Sequence, residues 1–115
     1  MPNEGVPNDA IVAQLNRVSG ILVEKKYENL DAAAPGSRVR SEDLARVIKE
    51  YGRTVVGVET DDISIVPLKG DEGWSVWANL LTAEEGKSDL VLVTRIVRIS
   101  QPPFYKVFID DLRVP

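Results

Sequence analysis

Three carboxylates stand close together in the run Thr82-Ala-Glu-Glu-Gly-Lys-Ser-Asp89, and Asp61-Asp62 adds an adjacent pair. Displayed on exposed loops, Glu84, Glu85, Asp89, Asp61 and Asp62 would present negative charge to a basic partner or a cation. The same run also has the composition of a tight turn. Gly86 supplies a positive φ, Ser88 and Asp89 cap it, and the acids solvate it. Both readings hold together, because hairpin tips are exposed. Trp77 is the sixth candidate: its strand alternation sets it opposite Trp74, Val76 and Ala78, where it would anchor a partner. Tryptophans are also common core residues, so a buried Trp77 is the competing expectation.

Much chemistry is excluded by composition. The chain has no cysteine and no histidine. Disulfides, thiolate nucleophiles, cysteine-based zinc sites and Ser-His-Asp machinery are therefore ruled out. A metal would need oxygen ligands alone, and no D-x-[DN]-x-[DN]-G calcium loop is present. Gly86-Lys87-Ser88 matches the tail of a phosphate loop, but Leu81 stands where the first glycine belongs. Asp110-Asp111 lies in a predicted strand, where neighbours point to opposite faces, so it is no proton-sharing dyad. No catalytic residue, metal or cofactor is expected. Arg95, set among valines, should pair with an acid such as Asp111.

The net charge is −4 and is unevenly placed. Residues 1–58 hold eight basic and eight acidic side chains, whereas residues 59–115 hold six basic and ten acidic ones. Such a surface repels nucleic acid and attracts a cationic protein, although mild negative charge also simply keeps a small domain soluble. No stretch approaches the ~20 apolar residues of a membrane span. The first nine residues carry two acids, no Lys or Arg and no apolar core segment, which predicts neither a signal peptide nor an anchor. Cysteine-free composition suits a cytoplasmic location.

At 115 residues the chain fits one domain, expected over 9–115 behind a flexible lead of residues 1–8. Asn8 or Asp9 caps a helix to about residue 26, with Ile11, Leu15, Val18 and Leu22 on one stripe and Val12 and Val23 widening it. Gly20 inside it would allow close packing of a neighbour. After the Pro35-Gly36 turn, Ser41 caps a second helix bearing Leu44, Val47, Ile48 and Tyr51, and Gly52 terminates it. The apolar period then falls from 3.6 to 2. Strands follow at 54–58, 63–68, 74–82, 89–100 and 104–114. This is an α+β fold, with two N-terminal helices packed on an antiparallel meander of four to five strands. Its layout is similar to cystatin-like and nuclear-transport-factor-like folds. Strand 89–100 is apolar on both faces, so its second face needs cover from sheet curvature, from segment 54–68 or from a dimer partner.

Three of these segments together resemble an uncharacterised bacterial domain family. Its pattern has a helix pair, a Tyr-Gly-x-Thr step, a Trp-Thr-x-Glu-Glu-Gly-x-Ser-Asp-Leu hairpin and a terminal strand ending Asp-Leu-His-Val. Tyr51, Gly52 and Thr54 match the step. Thr82, Glu84, Glu85, Gly86, Ser88, Asp89 and Leu90 match the hairpin, and Ile109, Asp110, Asp111, Leu112 and Val114 match the end. Leu81 and Arg113 replace the pattern's Trp and His. The resemblance covers about residues 10–115 and implies no chemistry of its own. In size and layout the chain is also similar to immunity proteins of interbacterial toxin systems. That likeness implies a cytoplasmic antitoxin whose acidic half meets a cognate toxin such as a basic nuclease domain. The rival expectations are a cone-shaped ligand-binding or enzymatic domain using Asp or Glu with Tyr, and a homodimeric accessory domain.

Overall fold

A computed structural model describes residues 6–102 and 104–115, with Asp71 described by its backbone only. Of the expected flexible lead, residues 1–5 lie outside the described residues. Val6 packs half-buried against the core, and Asn8 already begins the first helix. The elements are α1 (Asn8–Glu24), α2 (Leu30–Ala33), α3 (Ser41–Tyr51), β1 (Val55–Val58), β2 (Ser64–Pro67), β3 (Gly73–Thr82), β4 (Gly86–Arg98) and β5 (Tyr105–Arg113), with 3-10 turns at Tyr27–Asn29 and Lys69–Asp71. This is α+β, with helices at the N-terminus and a curled five-stranded antiparallel sheet. The short α2 falls in a segment expected only to turn.

The α1 stripe is as the spacing predicts: Ile11, Leu15, Val18 and Leu22 are at most 1% exposed. Val12 flanks it half-buried, but Val23 points to solvent, so the stripe widens on one side only. Gly20 is exposed and no atom lies near where a Cβ would stand, so it serves no close approach. The caps also differ from expectation. Pro7 and Arg40 occupy the cap positions without side-chain hydrogen bonds, and Asn8 and Ser41 fall one residue inside the helices. At α3 the chain enters extended at Arg40, whose carbonyl accepts from the Asp43 and Leu44 N–H groups. The other ends are left-handed. Gly52 closes α3 at φ 76°, as glycine does without strain. Lys25 closes α1 at φ 59°, a conformation that costs a non-glycine residue ~1 kcal/mol.

The sheet order is β1-β3-β4-β5, and β2 follows β1 along the same edge of β3. β1 pairs with Leu80–Thr82 and β2 with Trp74–Trp77. Register shifts at Val55/Gly57, Asn79/Leu81 and Val93/Thr94 supply the curl. One face carries Trp74, Val76, Ala78, Leu80, Leu90, Leu92, Ile96, Val107 and Ile109, all buried under the helices. Each such aliphatic side chain contributes ~2 kcal/mol by leaving water. Thr94, a buried polar side chain in this layer, is satisfied by donating to the Val76 carbonyl at 3.0 Å.

Among the described residues, no helix packs on the opposite face. Segment 54–68 extends the sheet edge rather than covering this face. Val91 and Val93 are nonetheless 8% and 7% exposed. Long side chains of the same face shelter them: Arg113 stacks 4.9 Å from the Trp77 ring, and Arg95 lies 4.7 Å over Phe108. Arg95 pairs with Asp110 rather than the expected Asp111, its Nε 2.9 Å from both carboxylate oxygens. The bulge explains this. Val93 opposes Asp111 and Thr94 opposes Ile109, so Asp110 is the extra residue and turns toward Arg95. Phe104, expected in the last strand, precedes it at φ 74° and is half exposed. The free edge of β5 is blunted by the 37–38 segment, where Ile109 N–H donates to Ser37 Oγ and Arg38 N–H donates to the Ile109 carbonyl.

Candidate functional site

The β3–β4 hairpin turns at Ala83–Gly86, with Gly86 at φ 71° as its composition predicts. Glu85 N–H donates to Thr82 Oγ1 at 3.1 Å, an internal brace of the turn. The acids then reach across to the end of α3. Glu84 accepts from Thr54 N–H at 2.7 Å through one oxygen and from the Thr54 hydroxyl at 2.9 Å through the other. Tyr51 donates its phenol to Glu85 at 2.8 Å and accepts the Asp89 N–H at 3.2 Å. Ala83 N–H donates to the Thr54 carbonyl. Below, Ser88 donates to the Leu80 carbonyl and accepts from the Leu90 N–H, closing the irregular pairing behind the turn.

The Tyr-Gly-x-Thr step and the Glu-Glu-Gly hairpin are thus two halves of one joint. Its electrostatics follow from those donors. The Thr54 N–H and hydroxyl hold the Glu84 pKa below its ordinary value, and the bond to Glu85 pushes the Tyr51 phenol up. Both carboxylates stay solvent-exposed while engaged within the chain.

Lys87 leaves the same hairpin to meet Asp62, Nζ to oxygen 2.7 Å. That contact lowers the Asp62 pKa and raises that of Lys87. Asp61, beside it, is exposed and donates its N–H to Glu59. The fold therefore gathers Glu84, Glu85 and Asp89 at one tip and ties the Asp61–Asp62 loop to it through Lys87. Trp77 stands apart from this group. It sits mid-sheet on the helix-free face, opposite Ser64 and Val93, and is 37% exposed. Exposed Val66, two residues from Ser64 on β2, and exposed Val56 on β1 extend apolar surface along that side of the sheet. Sequence reasoning singled out Trp77 but missed these valines and Arg113. The alternation of their short strands was the available signal, too brief there to set an inward and an outward face.

No helix among the described residues is long and apolar enough to cross a membrane. No curated protein and no solved structure matches the chain. A family model does match over residues 20–115, a span that holds the joint, the whole sheet and all of α3. The chain therefore belongs to the family described as Domain of unknown function (DUF7668).

Proposed function

We propose that this chain is a non-catalytic protein-binding domain of the immunity or antitoxin kind, which neutralises a cognate bacterial toxin in the cytoplasm by occluding it. The observation that carries this reading is the helix-free sheet face, where Trp77, stacked with Arg113, is open to solvent. Trp and Arg are the side chains most often found at the energetic centre of protein interfaces. The acidic excess of residues 59–115 adds attraction for a basic partner and would raise the encounter rate at low salt. Asp61, Asp62 and Asp89 are the carboxylates best suited to that role, because Glu84 and Glu85 already hold the hairpin joint, whereas the Asp62 tie to Lys87 is exposed and screened.

The test is binding of the product of the neighbouring gene, measured for the wild type, for Trp77→Ala and for a triple Asp61→Lys, Asp62→Lys, Asp89→Lys variant. Trp77→Ala is expected to weaken binding by about 2 kcal/mol or more through faster dissociation. The triple variant is expected to lose on-rate and salt dependence. A folded triple variant and a folded Trp77→Ala that both bind like wild type would sink the proposal. The same exposed face also fits a second copy of the chain, and sedimentation at high concentration separates that reading from a heterologous partner. A cone-shaped ligand-binding domain would need space between helices and sheet. There Leu15, Leu22, Leu80, Leu92 and Ile96 are at most 1% exposed and pack together.

A further inference from the structure

Beside the hairpin joint, the ends of α1 and α3 and the Gly52–Val55 segment leave a surface cavity of about 350 Å³. Its apolar lining includes Leu22, Ile48 and Val55, each no more than 7% exposed and part of the main core. Three cations also line it: Lys25, Lys49 and Arg53. We infer that this cavity binds a small organic anion, an acid group carried on an apolar body. The volume lies within the range of small-molecule sites, roughly 300–1,000 Å³. The mix of an apolar floor with a few converging charges is what such sites use to hold and orient a ligand.

Two features support a ligand rather than a chance dent. First, the chain is acidic overall, yet the charged side chains that line the cavity are Lys25, Lys49 and Arg53, with Glu85 meeting Arg53 at its edge. Second, neither Lys25 nor Lys49 meets an acidic side chain among the described residues, while Arg53 is held by the Gly52 carbonyl at 3.4 Å and faces Glu85 at 4.0 Å. Basic residues also gather at helix C-termini to balance the helix dipole. That accounts for Lys49 in the last turn of α3 and for Lys25 at the end of α1. It does not account for the gap that the helix ends leave above Leu22, Ile48 and Val55. Tyr27, on the cavity wall, has its phenol pKa raised by burial, in keeping with a partly dry site.

This inference does not rest on the protein-binding proposal, which is carried by the Trp77 face of the sheet. It is tested by following backbone amide resonances of the full chain during titration with phenyl phosphate, benzoate, benzyl alcohol and inorganic phosphate. Saturable shifts at Lys25, Gly52, Arg53 and Thr54 are expected with phenyl phosphate or benzoate, and the tighter of the two identifies the acid group. Benzyl alcohol, which keeps the ring and lacks the charge, should give none. Lys25→Glu with Lys49→Glu should weaken binding about tenfold or more, the scale of a lost charge-assisted contact. Ala45→Trp, which fills the cavity without changing charge, should weaken it as well. The inference is overturned if neither aromatic anion saturates, if inorganic phosphate binds as tightly as phenyl phosphate, or if folded variants of both kinds bind like wild type.

Discussion

Two donors from Thr54 converge on the Glu84 carboxylate, and the sign of their effect on stability follows from the lowered pKa. A carboxylate more acidic in the folded state stabilises it at pH values above the unfolded pKa. That contribution is lost as pH falls through the folded value, below the ordinary range of about 4. Glu84→Gln should therefore melt below wild type at pH 7, and the two melting temperatures should converge toward pH 3. A gap that stays constant across that range would mean the contact does not depend on the charge. The Tyr51 phenol shifts the other way, so its contribution is present at neutral pH and fades in strong base. Arg95 and Asp110 make a different case, because this pair is partly sheltered from solvent. Asp110→Ala leaves the guanidinium half-buried over Phe108 without its acceptor, and urea unfolding should show a loss of about 1–3 kcal/mol. The exposed Lys87–Asp62 pair is screened, and Asp62→Ala should leave the unfolding midpoint nearly unchanged.

Helices and strands differ in how much of their detail local sequence carries. The stripe of α1 and the Gly52 stop of α3 follow from spacing and from glycine's access to positive φ, both local properties. The cap positions moved by one residue because the incoming chain, not the Ser41 side chain, sets where α3 begins. The partner of Arg95 was misjudged for a similar reason: a bulge inserts Asp110 into the pairing, and strand alternation alone cannot reveal a bulge. Two glycines give opposite predictions. Gly20 faces solvent inside α1 with nothing near its missing Cβ, so Gly20→Ala should stabilise by about 0.5–1 kcal/mol. At Gly73 a Cβ would fall 2.1 Å from the Ile96 carbonyl oxygen of β4. Backbone cannot yield as a side chain does, and Gly73→Ala should cost about 3 kcal/mol or more. Thermal or urea unfolding of the two variants checks both signs, and a neutral Gly73→Ala would contradict the close β3–β4 approach.

Across the molecule, helices cover one face of the sheet and leave the other to its own side chains. Trp77 and Arg113 shelter valines there and are themselves open to solvent. If a partner docks on them, amide exchange at Val91 and Val93 should slow in the complex by more than tenfold, roughly 1.4 kcal/mol of added protection. Unchanged exchange at those amides would place the contact elsewhere. The sequence by itself determined the order of the two long helices and the strands, the alternation of inward and outward residues along most of the long strands, and the loss of histidine and cysteine chemistry. Those depend on composition and on short-range periodicity, which a single chain displays. Tertiary structure set the rest. Glu84 and Glu85 lie some thirty residues from Tyr51 and Thr54 in the chain, and the pairing of β1 with β3 brings them into contact. Which sheet face stays bare is fixed by where α1 and α3 dock, and that choice depends on the packed core as a whole.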